Sequence, residues 1–284
     1  MSVPTAASGP RKPRIALMGE FSAGKSTLSN LLLGSSPLPE KVTATRLSPV
    51  WMSAGTDGPY AVGVDGTQTP ISLDAIESVP VEESLSIRLF LEADILGVCD
   101  LIDFPGISDP NMSSEVWERM LPEVDAVLWC THATQAWRQS EAAVWDAMPE
   151  AVRKHSMLLI TRFDKLTTDR DRNRVVKRVT REAGEMFNGI YPVALLAAIA
   201  AGEDQALWDA SGAGEFVQNL IETIDTLTEI AERTESALYN VPDGEPIPAK
   251  VLPTVAPRRV VRSRTLDEPK RERPAADAGS DSAL

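Results

Sequence analysis

The sequence predicts an α/β fold: a mostly parallel sheet covered by helices on both faces, with an antiparallel edge. Three observations predict it. Short apolar runs alternate with stretches of helical periodicity. A glycine-bearing loop joins the first apolar run directly to the first helical stretch. Three further runs, at 49–53, 59–64 and 85–91, follow one another with no long helix between them, as an antiparallel edge requires.

In chain order, residues 14–18 read as a buried strand and 25–33 as the first helix. The three edge runs come next, followed by a strand at 97–102 and a helix at 112–120. Strands at 125–131, 155–161 and 189–194 then alternate with helices at 138–148 and 168–187. The last helix is expected over 214–240. There Phe216, Leu220, Ile224, Leu227 and Ile230 recur at helical spacing and form a stripe expected to pack on the sheet. From Val241 the chain is rich in Pro, Arg, Ala and Asp and poor in core formers, and a disordered tail is expected over 241–284. Residues 1–12 are expected to be a flexible leader before a domain spanning 13–240.

The stretch Gly19-Glu20-Phe21-Ser22-Ala23-Gly24-Lys25-Ser26 has the form G-x-x-x-x-G-K-[ST] in a strand–loop–helix setting. Glycines let successive N–H groups turn toward phosphate oxygens, and the helix N-terminus adds positive potential. Lys25 can reach the outer phosphates and Ser26 can hold Mg²⁺. The candidate phosphate-binding set is therefore Gly19, Ser22, Ala23, Gly24, Lys25, Ser26 and Thr27. This makes the fold a P-loop three-layer α/β/α sandwich.

Asp103-Phe104-Pro105-Gly106 follows the apolar run Val98–Ile102. A strand-end Asp can meet Mg²⁺ and the Gly106 N–H a terminal phosphate, so the turn can report whether that phosphate is present. Asp, Pro and Gly also favour an ordinary β-turn, and position after the phosphate loop decides between the two. Thr161-Arg162-Phe163-Asp164-Lys165 follows a third apolar run. Asp164 there can accept both guanine N1–H and N2–H, a donor pair adenine lacks. Arg162 keeps a long cationic stem that can lie over a base. The competing role for Asp164 is to cap the following helix.

With these three boxes in order, the chain resembles GTPases of the translation-factor-like class. More closely, "GEFSAGKSTLSNLLLG", "LPEKVTATRLSP" and "LIDFPGISDP" are similar to the phosphate loop and two switch segments of bacterial dynamin-like GTPases. The stretch between the switches also resembles theirs, and the likeness runs over roughly residues 12–235. It implies bound GTP or GDP with Mg²⁺ and hydrolysis of GTP. The implied catalytic residues are Lys25, Thr45 and Gly106, and the implied metal ligands are Ser26, Thr45 and Asp103. Thr43 is the alternative to Thr45. Val193 and Ala194, in "YPVAL", would close over the base, Ala194 standing where the family has Ser and only its backbone N–H left to act. Ile107 follows Gly106 and Phe21 occupies the loop position where other dynamins carry Gln, so neither side chain can orient water. Hydrolysis assisted by pairing of two G domains, with K⁺ as a candidate second cation and Arg46 or Arg138 as candidate fingers, is the implied alternative. Family members that reshape membranes carry a long stalk. A stand-alone switch, or one half of a pair whose partner brings the stalk, is expected here. A nucleotide-gated binding module with little hydrolysis and an assembly or ribosome-associated GTPase are the other readings.

Composition agrees. The chain has 284 residues, is 43% hydrophobic and carries a net charge of −13. Residues 248–284 hold eight basic and five acidic side chains, which leaves −16 on the rest. That acidity argues against nucleic-acid binding. The cluster Arg258, Arg259, Arg262 and Arg264 suits weak contact with an anionic membrane or acidic partner. Cys99 and Cys130 lie in separate apolar runs and read as buried thiols, which suits a cytoplasmic setting, with the inner membrane as a peripheral site.

Overall fold

The computed structural model describes residues 11–34, 47–108 and 113–239, with backbone alone for 235–239. These belong to one compact unit, Met1–Val241. Residues 1–10 of the expected leader, the expected tail at 241–284, and the candidates Thr43, Thr45 and Arg46 lie outside the described residues, whereas Arg11 pairs with Asp125 and Lys12 donates to the Leu96 carbonyl.

Nine strands form one sheet: β1 (Arg14–Gly19), β2 (Val50–Ala54), β3 (Tyr60–Gly63), β4 (Gln68–Pro70), β5 (Ser84–Leu91), β6 (Asp100–Asp103), β7 (Ala126–His132), β8 (Met157–Thr161) and β9 (Gly189–Pro192). Their order is β4-β3-β5-β2-β6-β1-β7-β8-β9. The five strands from β6 to β9 in that order run parallel. β2 turns against β6, and β3 runs antiparallel to both β4 and β5. In the edge β2, β5 and β4 thus run against the main strands and β3 runs with them, and β2 and β5 are parallel to each other. The hairpin β3–β4 is what carries the chain round between them.

Alternation along β1 sorts the core into two layers. Ile15 and Leu17 join one cluster with Leu28 of α1 (Lys25–Leu33), Leu96 of α2 (Asp94–Val98), Leu195 of α7 (Leu195–Ala201) and Phe216 of α9 (Ala213–Tyr239). Ala16 and Met18 join the other. It includes Val116 of α3 (Glu115–Glu118), Trp145 of α4 (Gln139–Asp146), Val152 of α5 (Glu150–Arg153) and Val179 of α6 (Asp169–Ala183). Helices thus cover both faces, the arrangement that buries a parallel sheet. A short α8 (Gln205–Ala210) links α7 to α9.

Several elements differ from the sequence expectation. The strand expected at 97–102 begins only at Asp100, because Asp94–Val98 forms a helical turn. The helix expected at 112–120 is one turn, Glu115–Glu118. The helix expected over 168–187 ends at Ala183 and continues as a 3-10 turn, Gly184–Met186. β4, α7 and α8 were not expected. On α9, Phe216, Leu220, Ile224 and Leu227 pack into the core, whereas Ile230 is 43% exposed.

Candidate functional site

The parallel strands all end on one edge of the sheet, and the loops leaving those ends build the candidate site. Gly19 ends β1 with φ 142°, and a Cβ there would lie 2.1 Å from the Cys130 carbonyl oxygen of the neighbouring strand. Only glycine permits that approach. The loop then turns through Ser22, at φ 58°, and Gly24 into α1, which has no side-chain N-cap. The amides of its first turn are left for a ligand, which is how a helix start becomes an anion site.

Phe21–Thr27, Leu47, Ser48, Val50, Asp103–Gly106 and Arg162 line one cavity of about 230 Å³. The structure thereby brings the phosphate-loop residues, the D-x-x-G turn and Arg162 of the T-R-x-D segment to one space. The Lys25 ammonium donates to the Gly19 and Glu20 carbonyls at 3.2 and 3.0 Å, bridging the loop on itself. Burial pulls its pKa down, against the upward pull of Asp103 and, more weakly, Cys130. Asp103 ends β6; burial raises its pKa to about 6, opposed by Lys25 and by the Ser29 hydroxyl, which donates to it at 3.5 Å. Asp103 and Ser26 both line this cavity and supply the hard oxygen atoms that suit Mg²⁺. Gly106 packs on the phosphate loop: a Cβ there would stand 3.0 Å from both the N and Cα of Phe21. The Phe21 amide donates to Ser108, and the Ile107 amide to the Gly19 carbonyl, so the D-x-x-G turn is pinned to the loop at two further points.

Thr161 is fully buried at the end of β8. Its hydroxyl donates to the Ala23 carbonyl at 2.6 Å and also approaches the Thr131 carbonyl at 3.1 Å. Its side chain therefore joins the guanine box to the phosphate loop. Arg162 follows in the left-handed region at φ 51° and is exposed. Asp164 lies in a 3-10 turn, with Lys165 at 3.7 Å. It does not cap α6; Thr168 does, accepting from the Asp171 amide. Asp164 and Ala194 line a second hollow of about 510 Å³ together with Phe163, Arg172 and Ser211.

Two expected base contacts are otherwise engaged. The Val193 amide donates to Ile160, and its carbonyl accepts from Phe163. The Ala194 amide, expected to reach the guanine oxygen, donates to the Ser211 carbonyl at 2.9 Å. Ser211 precedes α9, and Gly212 behind it fits so closely that a Cβ would meet the Pro192 carbonyl at 2.2 Å.

One constellation has no local sequence signal. Glu20, inside the phosphate loop, accepts from Arg138 Nη1 at 2.8 Å and from the Ser140 hydroxyl at 2.5 Å. Arg138 begins α4, where the buried Glu141 accepts from its backbone amide, from Trp129 Nε1 and from Thr131. In this arrangement Arg138 braces the loop, 118 residues away in sequence. Cys99 and Cys130 are both buried free thiols, each pushed up to about 12 by burial.

A phosphate loop, a strand-end Asp and a strand-end T-R-x-D on a mostly parallel α/β sheet define a P-loop GTPase domain. Residues 14–162, just over half of the chain, match the 50S ribosome-binding GTPase family, and the chain belongs to it. The chain is similar both to a bacterial dynamin-like protein and to a GTPase Era. Dynamin-like protein 2 of Campylobacter jejuni is 24% identical over 163 residues, covering 55% of this chain and 26% of that protein. GTPase Era of Aquifex aeolicus is 23% identical over 261 residues, covering 89% of this chain and 65% of that protein. The chain thus spans less than two thirds of either relative. In three dimensions it is similar to a bacterial dynamin from an oligomerised pair described as sensing and tethering membranes. That likeness has a TM-score of 0.54 at 19% identity and covers 79% of this chain and 36% of the other. Among the described residues no helix is long and apolar enough to cross a membrane.

Proposed function

We propose that this chain binds GTP with Mg²⁺ and hydrolyses it to GDP and phosphate, working as a dynamin-like switch. The observation that carries the reading is the convergence of Lys25, Ser26, Asp103 and the uncapped start of α1 on one cavity, with Thr161 tying the guanine box to it. In this reading Gly19, Ser22, Ala23, Gly24, Lys25, Ser26 and Thr27 cradle the phosphates. Lys25 leaves the Gly19 and Glu20 carbonyls for phosphate oxygens, which stabilise its charge at a buried position. Ser26, Asp103 and Thr45 hold the metal, which supplies charge neutralisation between the outer phosphates. The Gly106 amide meets the terminal phosphate, and Thr45 holds the attacking water. Arg162 lies along the base and Asp164 selects guanine. Thr161 acts as a positioning residue.

Neither Phe21 nor Ile107 can polarise water, so the intrinsic rate is low and rises on transient pairing of G domains, with K⁺ as a candidate second cation. The working unit is the G domain at 13–240. The basic tail gives at most weak contact with an anionic membrane, and a stalk-bearing protein is the candidate partner. The two buried free thiols suit a cytoplasmic protein, and the acidic body argues against nucleic-acid binding, which also weighs against a ribosome-associated role.

The test is GTP turnover against protein concentration, in K⁺ and in Na⁺, beside Lys25→Ala and Asp164→Ala. Turnover per molecule should climb with concentration, vanish in Lys25→Ala, and lose its preference for GTP over ATP in Asp164→Ala. Tight GTP binding with negligible turnover at every concentration would instead make the chain a nucleotide-gated binding module. Failure to bind guanine nucleotide would sink both.

A further inference from the structure

Two helices carry exposed stripes of opposite charge. On α6, Arg170, Arg174, Lys177 and Arg181 are all exposed and recur at steps of four, three and four, so they share one face. Among the described residues Arg170, Arg174 and Lys177 have no ion-pair or hydrogen-bond partner on their side chains, while Arg181 shares Glu182 with Arg178. On α9, Glu222, Asp225, Glu229 and Glu232 are exposed at steps of three, four and three. Gln218 donates to Glu222, and Arg233 pairs with Glu229. At about 1.5 Å per residue both stripes are about 15 Å long.

The two stripes cannot meet within one chain. The apolar side of α6 packs into the cluster on one face of the sheet, through Val175, Val176 and Val179. The apolar side of α9 packs into the cluster on the other, through Phe216, Leu220, Ile224 and Leu227. We propose that the basic face of α6 docks on the acidic face of α9 of a second copy of this chain. Opposite sign, matched heptad-like spacing and matched length favour that occupant. So does Ile221, 49% exposed on α9 and bordering the acidic residues, which gives the contact apolar area. A body carrying −16 outside residues 248–284 repels a polyanion such as nucleic acid, and an acidic helix presented by a folded protein meets the stripe at short range instead.

The contact is heterologous, since each copy offers α6 to one neighbour and α9 to another. It therefore builds rows or rings rather than a closed two-fold dimer. It needs no nucleotide and stands whether or not the G domain hydrolyses GTP.

Sedimentation velocity of the full chain at low salt tests it. The average mass should rise with concentration past that of a dimer, and the apparent affinity should fall by at least ~10-fold between about 0.05 and 0.5 M salt. Arg174→Glu/Lys177→Glu and Glu222→Lys/Asp225→Lys should each be monomeric alone. Their equimolar mixture should associate again, because each then offers the other complementary faces. Guanine-nucleotide binding and a cooperative melt verify that each variant folds, and Arg170→Glu/Arg181→Glu with Glu229→Lys/Glu232→Lys serve as the second pair. A wild-type chain that stays monomeric at low salt overturns the proposal. So does association of either variant alone, or a mixture that fails to associate.

Discussion

Replacing Thr161 by valine keeps the branched shape and removes one hydroxyl. That hydroxyl is buried, donates to the Ala23 carbonyl at 2.6 Å, and is the side-chain hydrogen bond from the guanine box to the phosphate loop. Its loss leaves the Ala23 carbonyl without that donor in a site closed to water, a cost of about 1–3 kcal/mol. A body of this size loses ~2–4 °C of Tm per kcal/mol, so the melt should fall by about 2–12 °C. The effect should also be functional. Without the bond, GDP would have to order two loops that the wild type holds together, so the rise in Tm produced by saturating GDP should shrink. Thr161→Ser retains the donor and should recover most of both quantities. Differential scanning calorimetry with and without GDP reads them directly. A Thr161→Val protein with unchanged melt and unchanged GDP shift would refute the argument that this hydroxyl couples the two loops.

Three further outcomes follow from the structure. Arg138→Ala leaves the Glu20 carboxylate uncompensated inside the phosphate loop and should weaken nucleotide affinity by roughly 3–10-fold, while adding Glu20→Gln should restore it. A fluorescent-nucleotide titration of the double-mutant cycle would read this, and a double variant no better than Arg138→Ala would place Arg138 on the nucleotide instead. Burial raises the Glu141 pKa above its usual 4.5, so the folded state holds that proton more tightly than the unfolded chain. The stability this contributes is full below about 4.5 and is lost as pH rises through the folded-state value. Glu141→Gln should flatten that part of the stability–pH curve, measured by urea unfolding; an unaltered slope would show that Glu141 does not titrate there. Both cysteine thiols, buried and pushed up to about 12, should resist a thiol reagent at pH 8 in the native protein and react on unfolding.

What was legible in the sequence was whatever depends on near neighbours along the chain. The phosphate loop needs a strand, a turn and a helix start within about a dozen residues, and Gly19–Ser26 contains all of them. The parallel strands β1, β7 and β8 are apolar on both sides because both are covered, so they stand out as uninterrupted runs. The weak signals belonged to short or unpatterned pieces. β4 is three exposed residues, α2 is a single turn before a strand, and α7, Leu195–Ala201, is apolar with no polar face to reveal its period.

The sequence by itself determined that this is an α/β phosphate-loop protein with a guanine-box aspartate, because those features rest on local backbone geometry and on side-chain chemistry at fixed spacing. Tertiary structure decided how they are wired. The parallel course of β2 and β5 depends on how the intervening β3–β4 hairpin is placed against β5. The Ser211 carbonyl takes the Ala194 amide that the motif alone would have left for a base. Thr161 turns inward to Ala23, and Glu20 is held by a helix start far along the chain. Hydrogen bonds of such long sequence separation exist only once the sheet has brought the strand ends together, and no periodicity along the chain records them.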